Sequence, residues 1–330
     1  MDRRARVALG RTRLQLTRLG LGTAPLGGLY AEVSDADAHA VVDTAFDLGL
    51  RYFDTAPLYG HGLAERRTGG VLRSKPRGDF VLSTKVGRLL RPGALSADGQ
   101  FKGTPPVVPV FDFSYDATLR SVEESLARLG LDRVDMLLIH DPDQHYDAAR
   151  SGAYPALERL RSEGVVSAIG VGMNQVELLA RFARETDIDC LLVAGRYTLL
   201  DQVALTELLP LCQLRGIAVI AGGVFNSGIL ARPATGAPYN YEPAAPEIVE
   251  RAMRIEAVCA RFNVPVKAAA LQFPLAHPAV VCVLTGCRSL AELQENIVLF
   301  ELALPPALWP ALQANGLLHE AAPVPSPSRP

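Results

Sequence analysis

In Val134-Asp135-Met136-Leu137-Leu138-Ile139-His140 the four residues after Asp135 are an unbroken apolar run that ends on an ionisable side chain. Apolar residues at consecutive positions, over a length this short, read as a strand buried on both faces, the kind found in parallel sheets. The form recurs on either side. Tyr52–Asp54 ends on a carboxylate and Phe80–Lys85 on an ammonium. Leu19–Thr23, Ser167–Val171, Cys190–Ala194, Ile217–Ala221 and Val281–Leu284 complete a set of eight strand candidates. Helix candidates lie between them and carry start signals, such as Ser34-Asp35 before Ala36–Leu48 and Ser114 before Asp116–Leu129. Eight strands with interleaved helices on one continuous chain predict an α/β fold, a (β/α)8 barrel of the TIM type, over an open doubly wound sheet. Val7–Leu9 and Leu14–Leu16, either side of Gly10-Arg11-Thr12-Arg13, predict a small β-hairpin ahead of the first barrel strand.

No break in composition divides residues 1–320, which are read as a single domain; the Pro- and Ser-rich residues 321–330 are expected to be a disordered tail. Two connections are longer than a plain strand-to-helix loop. Gly87–Phe113 reads equally as a plain insertion or as a loop that covers substrate, and Asn226–Pro246 follows the seventh strand.

The formal net charge is −2 on 330 residues, so neither nucleic acid nor an anionic membrane is expected as a partner. The chain opens Met1-Asp2-Arg3-Arg4 with no apolar signal region, and Val264–Cys287 is interrupted by Lys267, Pro274, His277 and Pro278. A cytoplasmic protein without a membrane span is the expectation. Five cysteines without metal-ligand spacing predict free thiols and no metal, and the oligomeric state stays open.

In such a barrel the chemistry lies at the C-terminal ends of the strands. Three successive strands deliver Asp54, Lys85 and His140 to that rim, and Tyr59 follows Asp54 by five residues in Pro57-Leu58-Tyr59-Gly60. Each alone has a bland reading, as a packed, solvated or satisfied core group. Together they suit hydride chemistry at a carbonyl or alcohol carbon, which requires a proton to be given or removed. A phenol can do either if its pKa falls from ~10 toward neutrality. On this reading the Lys85 ammonium lowers the Tyr59 pKa, Asp54 orients Lys85, and His140 holds the substrate oxygen. Two rivals use the same residues differently: an aldolase with Lys85 as Schiff-base nucleophile, and a nicotinamide-binding subunit without turnover.

The chain resembles the aldo-keto reductases over nearly its whole length. The resemblance is carried by Phe53-Asp54-Thr55-Ala56-Pro57-Leu58-Tyr59-Gly60, Leu82-Ser83-Thr84-Lys85, Ser125–Asp135 and Ile139-His140. It implies a nicotinamide cofactor, Tyr59 as general acid/base, and Asp54, Lys85 and His140 as its catalytic companions. Gly20-Leu21-Gly22 lacks the third glycine of a dinucleotide fingerprint, but the family holds its cofactor on the barrel. The anion cradle is expected at Gly222-Gly223-Val224-Phe225-Asn226-Ser227-Gly228; Asn174 stands where the family binds the carboxamide, and Gly22, Thr23 and Asp54 are further expected cofactor contacts. Gly286, Arg288, Glu292, Glu295 and Asn296 look like the contacts to the adenosine half. The family's glutamine near Ala194 and its stacking aromatic near Gly222 are both absent, leaving Phe225 and Tyr197 as candidates for that face.

The runs Ile169–Asn174, Ala194–Asp201 and Gly222–Gly228 are similar to a bacterial branch with D-threo-aldose 1-dehydrogenase (L-fucose dehydrogenase) and pyridoxal 4-dehydrogenase activities. That resemblance implies oxidation of a free aldose at C1 to the lactone, with pyridoxal oxidation or general carbonyl reduction as alternatives. Tyr30, Asp143 and His145 are the candidate substrate contacts. In family members that prefer NADP an arginine grips the 2′-phosphate; here Glu292 takes that place, so NAD is expected to be preferred and NADP tolerated.

Overall fold

The computed structural model describes residues 1–94, 99–240 and 242–325. Eight parallel strands close into a barrel: Leu19–Gly22, Tyr52–Asp54, Val81–Val86, Met136–His140, Ala168–Met173, Cys190–Ala194, Ala218–Gly222 and Val280–Gly286. They are paired in chain order, and the eighth closes on the first with Val283 opposite Leu19 and Gly286 opposite Gly22. The closure leaves no strand edge open. Two of the intervening helices start where the sequence placed their caps. The Ser34 hydroxyl accepts from the Asp37 N–H ahead of Asp35–Asp47, and the Ser114 hydroxyl from the Ala117 N–H ahead of Tyr115–Leu129.

Side chains alternate across each strand. Phe53, Leu82, Leu137 and Ile139 face outward into the larger core beneath the helices, while Tyr52, Met136 and Leu138 belong to the cluster that fills the barrel. The same parity turns Asp54, Ser83, Lys85 and His140 inward at the rim. The N-terminal hairpin pairs Arg6–Ala8 with Gln15–Thr17. Its flanking Leu9 and its own Leu16 are fully buried in the interior cluster, so the hairpin stoppers the end of the barrel opposite the rim.

Both long connections differ from plain loops. Arg88–Pro92 and Val107–Phe111 form an antiparallel hairpin, with Arg88 opposite Phe111; residues 95–98, in the same connection, lie outside the described residues. Gln100–Lys102 then pairs with the loop after the first strand, the Tyr30 N–H donating to the Gln100 carbonyl and the Lys102 N–H to the Gly28 carbonyl. In the second connection Pro238–Tyr239 pairs with Glu242–Pro243 as a small flap. At the C-terminal end, Ala322 is buried and Val324 packs on the core, so the expected tail is held at its start; residues 326–330 lie outside the described residues. All five cysteines are buried and unbridged. Among the described residues no helix is long and apolar enough to cross a membrane, and no cluster of three or more His, Cys, Asp or Glu side chains could hold a metal ion.

Candidate active site

Asp54, Lys85 and His140 meet at the rim as strand parity requires. The Lys85 ammonium donates to Asp54 Oδ2 at 2.5 Å and to the Thr55 carbonyl at 3.0 Å. Ser83 donates to the other carboxylate oxygen at 2.6 Å, and the Tyr52 hydroxyl lies 3.0 Å from Ser83 Oγ. Lysine and carboxylate are each 1% exposed. An ion pair this dry persists only because nearly every polar atom has a partner.

Tyr59 sits on the turn after the second strand, packed against the loop after the first. A Cβ at Gly27 would lie 2.6 Å from the Tyr59 carbonyl carbon and 2.7 Å from the Gly60 nitrogen, so only glycine permits this approach. The Tyr59 ring lies with its face toward Lys85, whose ammonium is 4.6 Å from the ring centroid. His140 meets it edge-on at 5.7 Å, and Phe101 flanks it at 6.2 Å.

The electrostatics depart from the sequence-based expectation. Burial, with the charges of Asp54 and Asp141, pushes the Tyr59 phenol well above its usual value, and Arg88 only partly opposes this. Lys85 is not among the groups that lower it; its ammonium is bonded to Asp54 and lies over the ring face. His140 is pushed well below the usual histidine range by burial, then by Arg88 and Lys85, so its imidazole is neutral near pH 7.

A cavity of about 340 Å³ runs from Asp54 and Tyr59 to Arg288 and Glu292. Of the predicted cofactor contacts, Gly22, Asp54, Asn174, Gly222 through Gly228, Gly286, Arg288 and Glu292 all line it. Thr23, Glu295 and Asn296 do not. Thr23 is fully buried, and its hydroxyl and its N–H both donate to the Asp54 carbonyl, so it shapes the strand end. Glu295 pairs with Lys267 at 2.5 Å. Asn296 is buried beside this end with its Oδ1 lacking a partner. Asn226 lines the cavity but turns its side chain inward, accepting from Thr198 and donating to the Gly195 carbonyl.

A dinucleotide fits this shape. The trough is long, its walls at Gly22, Gly222, Gly223 and Gly286 carry no side chain, and Arg288 supplies a cation at the far end. A Cβ at Gly222 would come within 3.0 Å of Leu192 Cδ2, inside the trough wall. At the far end Glu292 accepts from the Arg288 N–H and from its guanidinium, both at 2.8 Å. Burial pushes the Glu292 carboxyl up, yet the Arg288 contacts outweigh it and hold the group below the ordinary glutamate value.

Of the candidate substrate contacts, Tyr30 lines the cavity and interacts with Ser227 across it. Asp143 and His145 do not line it. They belong to a short helical turn beyond the rim, and the exposed His145 ring packs on Phe111 and Phe113 at 5.0 and 5.6 Å. Tyr197 is corrected as a stacking candidate, being 1% exposed and packed on Phe273 and His277 away from the cavity; Phe225 does line it. Leu192, Leu284 and Asn240 were not anticipated. The first two follow from strand parity at the ends of strands six and eight, whereas Asn240 is brought in by the flap.

The arrangement sets a protonated phenol, met edge-on by a neutral imidazole, at one end of a glycine-walled trough. Residues 18–315 match the aldo/keto reductase family. The chain is 44% identical to pyridoxal 4-dehydrogenase of Microbacterium luteolum, over 94% of this chain and 97% of that protein. It is equally 44% identical to D-threo-aldose 1-dehydrogenase of Pseudomonas sp, over 92% and 95%. The holo form of an aldo-keto reductase from Bacillus halodurans has the same fold, with a TM-score of 0.76 at 24% identity, covering 96% of this chain and 97% of that one. The chain is an oxidoreductase and belongs to the aldo-keto reductase family.

Proposed function

We propose that the protein oxidises a free aldose at C1 to the lactone with a nicotinamide dinucleotide, NAD in preference to NADP. The observation that carries this reading is Tyr59, which lines one end of a trough that continues to Arg288 and Glu292 and whose ring His140 meets edge-on. The glycine-walled trough from Gly22 and Gly222 to Arg288 would hold the nicotinamide dinucleotide, which would supply the hydride acceptor. The chain's own residues handle the rest. His140 holds the C1 oxygen, and Tyr59 removes the proton of the hemiacetal hydroxyl so that the C=O bond can form. Lys85 and Asp54 fix the Tyr59 ring from below. In the reverse direction the phenol gives its proton to the oxygen, a role that its raised pKa favours.

A sugar is supported by the polar flank of the rim, where Asp141 lies within reach of His140 and Asn240 lines the cavity, and by the aldose dehydrogenase relative. Pyridoxal is the second reading. It closes an internal hemiacetal that yields a lactone by the same step, and the relative named for it is equally similar. The preference for NAD is supported by Glu292, whose carboxylate would face a 2′-phosphate and already occupies Arg288. The test is reduced-nicotinamide absorbance with L-fucose, other aldoses and pyridoxal, followed by product analysis. Lactone from the aldose is expected. An unmodified sugar beside rapid pyridoxal oxidation would transfer the assignment to the second reading.

A further inference from the structure

Arg88, itself buried, and the half-buried Asp141 form a second ion pair at the rim, one the proton-transfer scheme above does not use. Arg88 begins the hairpin that follows the third strand and is 8% exposed. It donates to Asp141 Oδ2 at 3.0 Å and to the His140 carbonyl at 3.2 Å, and its guanidinium lies 4.5 Å over the Phe111 ring. Asp141 follows the fourth strand with φ +42°, a left-handed conformation uncommon for a residue with a side chain. That backbone turn brings the same Oδ2 atom to 3.4 Å from His140 Nε2. One carboxylate oxygen thus stands between a guanidinium and an imidazole nitrogen.

We propose that Arg88 and Asp141 are positioning residues that set the protonation form of His140: the carboxylate holds the ring proton on Nε2, and the guanidinium keeps that carboxylate from drawing a second proton onto the ring. The physical argument has two halves. A neutral imidazole carries one proton, and the nitrogen nearer an anion takes it, because a bare lone pair facing a carboxylate is repelled. An unbalanced carboxylate at this distance would also favour the imidazolium. Arg88 cancels that pull and repels the extra proton directly. The result is an N–H donor at Nε2 without a net charge on the ring.

Charged groups reach this cluster from every side. Lys85 comes from the third strand, Arg88 from the hairpin, and Asp143 acts on Asp141 from the turn beyond the rim. Asp54 and Asp141 both act on Tyr59, whose ring meets His140. Of the cations, Arg88 is the one bonded to Asp141, so its removal is the selective perturbation. The inference rests on the reading that a substrate oxygen is held between Tyr59 and His140. Its direct readout needs no substrate.

The experiment is nitrogen NMR on histidine-labelled protein, with the His140 signal assigned among the six histidines by its loss in His140→Gln. The wild type should show a neutral ring protonated on Nε2 at pH 7. Asp141→Ala should mix the two tautomers and lower kcat about tenfold, the scale of one orienting hydrogen bond, with cofactor affinity unchanged. Arg88→Met should move the His140 titration, and the acid limb of the rate profile, upward, and Arg88→Lys should restore part of that shift. A wild-type ring protonated on Nδ1 would overturn the proposal. So would a titration unmoved in Arg88→Met with a tautomer unmoved in Asp141→Ala. Either result leaves the hydride chemistry standing, whereas a wrong substrate reading leaves the tautomer result intact.

Discussion

The Lys85 ammonium lies 4.6 Å over the Tyr59 ring while its hydrogen bonds go to Asp54 and the Thr55 carbonyl. The lysine therefore meets the phenol ring on its face, while burial, Asp54 and Asp141 raise the hydroxyl's pKa. Its energetic role is tied to the carboxylate beneath it.

Removing Lys85 should consequently cost stability as well as rate. Lys85→Met strands the Asp54 carboxylate in a site 1% exposed, with Ser83 as its remaining hydrogen-bond donor. Breaking one side of a buried pair costs about 3–5 kcal/mol. Denaturant unfolding of the variant checks this, and Lys85→Met combined with Asp54→Asn should recover part of the loss. A single variant as stable as wild type would show that the pair contributes little.

The Tyr59 titration follows from the same geometry. Burial and the carboxylates of Asp54 and Asp141 raise its pKa above the usual 10.0, so the free protein holds the phenol protonated at neutral pH. Oxidation consumes the phenolate, and its rate should climb with pH toward the alkaline side; reduction consumes the phenol and should fall only there. The difference in phenolate absorbance between wild type and Tyr59→Phe should remain negligible up to pH 10. A phenolate signal from Tyr59 near pH 7 would contradict this electrostatic picture.

Gly27 tests how tightly Tyr59 is placed. Gly27→Ala puts a methyl group against the backbone of Tyr59 and Gly60, where nothing flexible can yield. The loop must move, so turnover should fall at least tenfold, since a shift near 1 Å at reacting groups costs on the order of a hundredfold. Steady-state kinetics alongside circular dichroism separates displacement from unfolding.

Cofactor choice should turn on Glu292. Replacing it with arginine removes the carboxylate that holds Arg288 and leaves two guanidinium groups at that end of the trough. One charge-assisted bond contributes roughly 1.5–3 kcal/mol, so the NADP/NAD ratio of kcat/KM should rise about ten- to a hundredfold. A wild type that already favours NADP, or a ratio unmoved by Glu292→Arg, would reject this role.

Much of this was legible in the sequence because a barrel strand alternates and ends at a functional rim. That parity alone carries Asp54, Lys85 and His140 to one mouth, and the apolar runs mark all eight strands. What stayed hidden depended on the third dimension. Arg88 lay within a stretch read as a loop, although Val107–Phe111 has strand composition; Pro109, tolerated on an edge, masks it. Thr23 read as a cofactor contact because sequence does not show that its hydroxyl is spent on the Asp54 carbonyl. Tyr197 read as a stacking aromatic, but its ring turns into the packing around Phe273. The direction of the Tyr59 shift was hidden because burial, the Asp54 carboxylate at a strand end and the Asp141 carboxylate beyond another strand add up only in the folded chain.

The most direct test of the central claim is the Tyr59→Phe variant, measured by reduced-nicotinamide absorbance with L-fucose and by cofactor binding. The substitution removes the transferable proton and leaves the ring against Lys85, His140 and Phe101. The account predicts unchanged cofactor affinity and a fall in kcat of about 10²–10⁴-fold. Turnover within a few-fold of wild type would contradict it.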